Sequence, residues 1–281
     1  MPISVRTSLA GVVAALCACA QPAPQPQVVY VQAPAGAEAP APAAPAAPAA
    51  TARVRVIHAS PDPVAAHVAV YMDNGTVPVI RDLAYRTGVG YEPIGAGAHV
   101  VQARFPTAPP TTPPVLSYNT PSFVQDRWYT VIAHGLASEP QGPPVSFSPE
   151  EDPGAPLDSS RAAVRVFHAM VGAPTVDVCL GSLPLVRGVA YGQWSAGTNG
   201  RYALATPGAQ QVTFRQHGSS PCSGRSLGGI QLNLGAGTNY TLVAIGRIAR
   251  IGALAAQEVL VCNDAPLTAP SQCVPTAIVP M

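Results

Sequence analysis

The segment Val54-Arg55-Val56-Ile57-His58-Ala59 returns later in the chain as Val164-Arg165-Val166-Phe167-His168-Ala169. Polar and apolar residues alternate along it, which is typical of a strand with one buried and one solvated face. We therefore expect two copies of one domain, each opening with a half-buried β-strand.

Further matching segments follow both copies of this stretch in the same order. The separation between matched residues stays between 106 and 111 positions along the whole repeat. Examples are the pairs Pro78 and Pro184, Tyr91 and Tyr202, and Thr130 and Thr241. Matches in this order and at this spacing indicate two diverged copies of a single domain.

Each copy consists of short runs rich in Val, Ile, Tyr and Thr, separated by turn residues. Asp73-Asn74-Gly75 predicts a hairpin, because Asn and Gly accept the positive φ of a tight turn, and Asn199-Gly200 plays the same part in the second copy. About seven such strands in about 90–100 residues are typical of a sandwich. The predicted fold is all-β, with two tandem antiparallel β-sandwiches of the Ig-like or transthyretin-like kind.

The chain of 281 residues divides into six predicted segments. They are a signal peptide over residues 1–20, a Pro/Ala-rich disordered spacer over 21–50, a first β-sandwich over 51–148, an acidic linker over 149–161, a second β-sandwich over 162–262, and a Pro-rich C-terminal tail over 263–281.

Four segments of the first copy resemble the DUF4397 family. They are Val-Arg-Val-Ile-His-Ala-Ser-Pro-Asp at 54–62, Leu-Ala-Tyr at 83–85, Tyr-Glu-Pro-Ile-Gly-Ala-Gly at 91–97 and Tyr-Thr-Val-Ile-Ala-His-Gly at 129–135. The resemblance covers roughly residues 52–140 and 162–262, and it implies tandem domains of unknown function in an exported bacterial protein. The second copy departs from the pattern, since His168-Ala169-Met170-Val171-Gly172 lacks the Ser-Pro-Asp. The family offers a fold and no catalytic residue to carry over.

The N-terminus predicts export. An apolar run from Leu9 to Ala18 is too short to span a bilayer and fits a secretory signal. Leu16-Cys17-Ala18-Cys19 resembles a bacterial lipobox, which would leave a lipid on Cys19. The competing interpretation is the A-x-A pattern Ala18-Cys19-Ala20, which would release a soluble protein that begins at Gln21.

Pro and Ala supply 20 of the 30 residues from 21 to 50. Such a segment cannot build a packed core and favours polyproline II. After a lipid anchor it would hold the domains away from a membrane; the alternative is a low-complexity tail without a selected length.

Four cysteines remain after the signal peptide: Cys179, Cys222, Cys262 and Cys273. An even number in an exported chain predicts disulfides, and three pairings are possible. We expect Cys179–Cys222, which ties an early strand to a Gly/Ser-rich loop, and Cys262–Cys273, which holds the C-terminal tail to the last strand. A structural zinc site is the alternative.

Candidate binding residues are few. His58 and His168 occupy equivalent strand ends, and Trp194 lies in a Gly/Ser-rich loop where it is the better candidate for an exposed ligand platform. Ser60 and Asp62 beside His58 suggest a nucleophilic triad, but neighbours in sequence cannot adopt that geometry. The run Glu150-Glu151-Asp152 fits a solvated linker rather than a calcium loop.

The small number of charged residues and their balance argue against some classes of function. Charged residues make up 10% of the chain, 15 positive against 14 negative, and every positive one is arginine. This balance argues against nucleic-acid binding, which needs a basic surface. The sequence predicts a non-catalytic binding or display protein of the bacterial cell envelope, without a cofactor, anchored to the outer membrane by the lipid, or else periplasmic or secreted. Its partner would be an envelope glycan or protein, and its oligomeric state stays open. The alternative is a hydrolase or metal-dependent enzyme with a site between the repeats.

Overall fold

A computed structural model describes residues 50–109, 111–248, 256–264 and 273–280. These described residues belong to one compact unit. In the part of the chain so described, no helix has the length and apolar character needed to cross a membrane. Cys19 and the spacer lie outside the described residues.

The first repeat contains eight strands among its described residues. They are β1 (Thr51–His58), β2 (His67–Met72), β3 (Ile80–Ala84), β4 (Glu92–Gly95), β5 (Val100–Arg104), β6 (Leu116–Asn119), β7 (Trp128–His134) and β8 (Ser146–Asp152). A short 3-10 helix, Pro63–Ala65, connects β1 to β2.

Where the structure describes it, the second repeat contains equivalents of these eight strands and one more. They are β9 (Ala162–His168), β10 (Val176–Leu180), β11 (Leu183–Val189), β12 (Ala203–Ala205), β13 (Gly208–Gln216), β14 (Ser226–Leu234), β15 (Asn239–Ile245), β16 (Glu258–Asn263) and β17 (Cys273–Ala277).

Both repeats fold into a sandwich of two sheets with the same strand order, which confirms the predicted fold. The sheets are β4-β1-β7-β8 and β3-β2-β5-β6 in the first, and β12-β9-β15-β16-β17 and β11-β10-β13-β14 in the second. Most pairs are antiparallel as predicted. Among the strands described, one pair in each sandwich is parallel, β1 with β7 and β9 with β15.

Local turn chemistry fits this topology. The predicted hairpin joins β2 to β3, and the positive φ angles fall on Asp73 (51°) and Asn74 (59°) rather than on the glycine. Tyr129 and Tyr240 are equivalent residues whose hydroxyls accept backbone N–H groups, from Val124 at 3.0 Å and from Gly235 at 2.9 Å.

The central strands β1, β7, β9 and β15 are covered on both faces. In β1, Val54 and Val56 face the core of the first sandwich, whereas Arg55 and Ile57 face the second repeat. Ile57 packs in a cluster that also contains Phe167. The expectation of a half-buried opening strand is therefore wrong, because the face predicted to be solvated is covered by the other copy. We call this covered face the seam.

Two predicted boundaries also change. Residues 149–152, assigned to the linker, complete β8, and Asp152 is buried. Within the predicted tail, Cys273–Ala277 forms β17 and pairs with β16. Both segments add an edge strand beside a strand already in place, which a search for linkers does not reveal.

Candidate functional site

The predicted binding surface is not at the surface. His58 and His168 are buried at the ends of β1 and β9, and Trp194 is only 9% exposed. Trp194 packs edge-on against Phe167, with ring centroids 4.9 Å apart, and lies over the guanidinium of Arg165. These three residues hold the interior together, and the prediction that they form a binding surface is wrong.

The two equivalent histidines make equivalent bonds. The Nε2 of His58 donates to the Ala65 carbonyl at 2.7 Å, while Nδ1 accepts the Ser60 N–H at 3.4 Å. In the second repeat, His168 bonds the Pro174 carbonyl and the Met170 N–H in the same way. Burial lowers the pKa of His58 to about 4 and also lowers that of His168. Both imidazoles are therefore neutral and fix the local backbone.

The Ser-Pro-Asp that follows His58 binds the loop after β7. The Ser60 hydroxyl donates to the Gly135 carbonyl at 2.6 Å, and the Asp62 carboxylate accepts the N–H groups of Ala137 and Ser138 at 2.5 and 2.7 Å. Burial raises the pKa of Asp62, but these bonds outweigh it and hold the pKa below its usual range. The second repeat lacks these residues, and Val171 instead bonds Gly246 through the backbone.

The seam contains a buried polar cluster built from equivalent residues of both repeats. We call this set the seam cluster; its members are Arg55, Tyr91, Thr130 and Asp152 of the first repeat and Arg165, Tyr202, Thr241 and Asp264 of the second.

Each arginine of the seam cluster crosses to the other repeat. Arg55 donates to Asp264 at 2.5 Å, and Arg165 donates to Asp152. Within its own repeat, the Nε of Arg55 donates to Thr130 at 2.7 Å. The two crossed pairs therefore join the sandwiches, and each repeat contributes one arginine and one aspartate to them.

The charges of the seam cluster compensate each other. Burial alone would lower the pKa of Arg55 and Arg165, but the facing carboxylates reverse this and raise both. Burial raises the pKa of Asp152, and the two guanidinium groups more than offset it, so that the carboxyl pKa stays low. Both guanidinium groups and the Asp152 carboxylate stay charged, and the cluster holds the repeats together.

Three further ion pairs between described residues cross from one repeat to the other at the rim of the seam. They are Arg86 with Glu258 at 2.6 Å, Arg201 with Glu150 at 3.1 Å and Arg247 with Glu139 at 2.5 Å. The interface that we considered for a catalytic site is thus filled by ion pairs and by the apolar cluster around Phe167. In the described ranges, no group of three or more His, Cys, Asp or Glu residues could hold a metal ion.

An apolar cavity of about 390 Å³ lies between the two sheets of the first sandwich. Its walls come from both sheets and include Val56, Val101, Val131 and Phe147. Cavities of about 300–1,000 Å³ are the usual size of small-molecule sites, so this one is at the lower end of that range.

The cavity opens between the edge strands β3 and β4. The lining residues Val79, just before β3, and Glu92 and Pro93, on β4, are exposed, whereas Phe123 and Phe147 are buried. Exposed residues mark the mouth and the two phenylalanines mark the inner end.

The second sandwich is closed at the corresponding place. Its β11 is longer than β3 and packs against both β9 and β12. Val212, which corresponds to Val101 of the cavity wall, is buried in a continuous core. Among the described residues, the first copy therefore has an open interior, whereas the second has a continuous buried core with a space of only about 20 Å³ beside Val176 and Phe214.

Comparison with family models gives a result consistent with this repeated architecture. A model of a domain of unknown function, DUF4397, matches residues 52–179 and again 162–271. The chain belongs to the DUF4397 family. A search of curated proteins finds no match.

Both predicted disulfides are present in this DUF4397 protein, Cys179 with Cys222 and Cys262 with Cys273. Disulfides persist in oxidising compartments. They indicate an extracellular or periplasmic location for the protein.

Sequence reasoning missed the two carboxylates of the seam cluster. Asp152 was assigned to the linker and Asp264 to the tail, although the other members lie among the matched repeat residues. The signal was available, because the two aspartates are separated by 112 positions, close to the repeat spacing. The cavity of this DUF4397 protein left no such signal, because its walls are ordinary core residues.

Proposed function

We propose that the protein is an exported, non-catalytic binding protein of the bacterial cell envelope, tethered to a membrane by a lipid on Cys19. The ligand's apolar group occupies the cavity of the first sandwich. The second sandwich serves as the support to which the first is fixed. The observation that carries the proposal is the open apolar cavity, present in one copy of the repeat and filled in the other.

The distribution of polar residues supports binding rather than catalysis. His58, Asp62 and His168 each bond backbone groups, and the ionised groups of the seam cluster bond one another. These side chains are committed to structure, whereas the accessible interior of the first sandwich is lined mainly by apolar side chains. Apolar lining with a few polar groups is the usual composition of a small-molecule site.

Export and tethering have separate support. The two disulfides favour an oxidising compartment, and the lipobox-like Leu16-Cys17-Ala18-Cys19 favours a lipid anchor. The Pro/Ala-rich residues 21–50 would then place the sandwiches at a distance from the membrane, facing an envelope glycan, protein or lipid.

The cavity is tested with N-phenyl-1-naphthylamine, an uncharged fluorophore that brightens in apolar sites. We expect the wild-type protein to bind it with one-to-one stoichiometry. Val101→Phe, which fills the cavity from β5, should abolish binding, and so should Ile94→Trp from the edge strand β4. The matched control is Val274→Phe on β17, at a residue that is exposed and outside the cavity lining.

Thermal unfolding of each variant establishes that it is folded. Binding that persists unchanged in folded Val101→Phe and Ile94→Trp would overturn the assignment of the cavity as the binding site, and so would a wild-type protein that binds no probe.

The tether is tested in the native host by separating membrane and soluble fractions. We expect the wild-type protein and the control Cys17→Ala in the membrane fraction, and Cys19→Ala in the soluble fraction. A wild-type protein whose intact mass begins at Gln21 without acyl chains would overturn the tether.

A further inference from the structure

The geometry points to a specific ligand class for the cavity: an amphiphile with a single unbranched alkyl chain and a cationic head group, bound with its head beside Glu92. This inference rests on the proposed function, since it names the ligand of the same cavity. It follows from the one charged group of the lining, from the shape of the mouth and from the absence of that charge in the other repeat.

Glu92 is directed toward the interior of the sandwich. It is the direct partner of Val54 in the antiparallel pairing of β1 with β4. Directly paired residues point to the same face of a sheet, and Val54 faces the core. The carboxylate is therefore on the inward face of an edge strand, at the mouth of an apolar space. Among the described residues that line the cavity, Glu92 is the only charged one.

Nearby arginines on β1 do not neutralise this face. Arg53 is paired with Pro93, lies on the opposite face of the sheet and has its guanidinium over the Trp128 ring at 5.1 Å. Arg55, also on that face, belongs to the seam cluster. A cationic head at the mouth would thus meet a carboxylate, whereas an anionic head would be repelled by it.

The mouth favours a chain that enters between the sheets over a peptide that adds a strand. Pro93 removes a backbone donor from β4, and an inward charge such as Glu92 is a known obstacle to edge pairing. The remaining route for an apolar group is insertion between the sheets, past Val79 and toward Phe123 and Phe147. A volume near the lower limit for ligand sites suits one alkyl chain better than a two-chain lipid.

The second repeat provides an internal comparison. Ala203 pairs with Val164 as Glu92 pairs with Val54, so a small apolar residue replaces the carboxylate there. Ala203 is buried in the closed core. The carboxylate and the open cavity thus occur together in one repeat and are both missing at the equivalent place in the described part of the other.

The test uses three probes that share a ten-carbon chain and differ in the head: decyltrimethylammonium, decyl maltoside and decanoate. Their affinities for the full chain are measured by isothermal titration calorimetry below the concentrations at which they form micelles. We expect decyltrimethylammonium to bind at least tenfold more tightly than decanoate, with the uncharged maltoside between them. Glu92→Gln should reduce the tenfold ratio to less than threefold. The control Asp82→Asn, at an exposed carboxylate of β3 outside the lining, should preserve it.

The outcomes separate the two proposals. Equal affinities for the three heads, all lost in Val101→Phe, would overturn the cationic ligand and leave the cavity as a binding site. A cationic preference that survives in Glu92→Gln would also overturn it, because the carboxylate would not be the recognising group. No binding of any probe to the wild-type protein would contradict the proposed function itself.

Discussion

The two sandwiches share their strand order and their seam residues, but they differ in how their interiors are filled. In the first, the hairpin strands β5 (Val100–Arg104) and β6 (Leu116–Asn119) have five and four residues. In the second, the equivalent β13 (Gly208–Gln216) and β14 (Ser226–Leu234) have nine each. The shorter hairpin and shorter β3 leave the first interior open.

The comparison separates the residues that hold the two copies together from the features that differ between their interiors. Residues that hold the copies together, such as Arg55 and Arg165, occur in both. The features that accompany the open interior are found in the first copy: Glu92 lies at the mouth of the cavity, and β5 is shorter than its equivalent β13. A duplicated domain can thus keep its shared interface intact while the interior of one copy is packed less completely.

The largest effect should come from the seam cluster, which both copies share. Replacing one partner of a buried ion pair costs about 3–5 kcal/mol, because the other charge remains buried without compensation. Asp152→Ala would leave Arg165 buried without its carboxylate partner, and Asp264→Ala would do the same to Arg55. We therefore expect similar losses of unfolding free energy from both substitutions.

Chemical denaturation measures these losses. Asp82→Ala, at a carboxylate that is 58% exposed, is the control and should change stability by less than about 0.5 kcal/mol. A large loss of unfolding free energy from one aspartate substitution, with almost none from the other, would show that the two crossed ion pairs do not contribute equally.

The next effect concerns a disulfide of the second copy, which has no counterpart in the first. The Cys179–Cys222 disulfide closes a loop of 43 residues, and loop-closure entropy predicts that its removal costs about 4 kcal/mol. The paired change Cys179→Ala with Cys222→Ala tests this by denaturant unfolding. Cys262→Ala with Cys273→Ala, which opens a loop of 11 residues, should cost less, about 3 kcal/mol. The reverse order would contradict the entropic account.

Overpacking distinguishes the open interior from the closed one. Val212→Phe forces a larger side chain into a filled core and should cost about 1–3 kcal/mol. Val101→Phe, at the equivalent position, should cost less than half as much, because the ring enters the cavity. The comparison is made by thermal unfolding of both variants, and equal costs would show that the first interior is packed as tightly as the second.

The last effect appears only in acid and concerns a histidine that the second copy replaces. His134 faces the seam, and burial lowers its pKa to about 4; the equivalent residue is the buried Ile245. The unfolded chain protonates this histidine near pH 6.5. Its contribution to stability is therefore complete above pH 6.5 and falls as the pH drops toward 4, by about 2 kcal/mol at pH 5.

His134→Ile should remove that share of the acid sensitivity. The measurement is the free energy of unfolding at pH 7.5 and at pH 5. Val274→Ile, at an exposed position that carries no ionisable group, retains His134 and is the control; it should keep the wild-type difference. If His134→Ile also keeps it, the buried imidazole is not a source of the pH dependence.

Much of the fold could be predicted from the sequence. The repeated Val-Arg-Val-hydrophobic-His-Ala, the turn residues Asp73-Asn74 and the even cysteine count led to two sandwiches and the observed disulfides. The seam could not be predicted, because alternation separates polar from apolar faces and does not tell what covers the polar one. Arg55 would have the same sequence pattern whether it faced water or Asp264.

The candidate site was harder to predict from the sequence than the fold. Trp194 was expected at the surface because it lies in a Gly/Ser-rich loop, but a large aromatic ring gains more by covering Phe167 and Arg165. The cavity depends on where strands stop. The prolines between β5 and β6 remove ladder donors and limit the hairpin, but the resulting space is visible only after both sheets are assembled.

We expect the first sandwich to admit a small apolar molecule and the second to exclude it. Xenon enters dry apolar cavities, and methyl NMR under xenon pressure reports where it binds. We expect methyl shifts to change at Val56, Val101 and Val131 and to stay constant at the equivalent Val166, Val212 and Leu242. Equal changes in both sandwiches, or none in the first, would contradict the account.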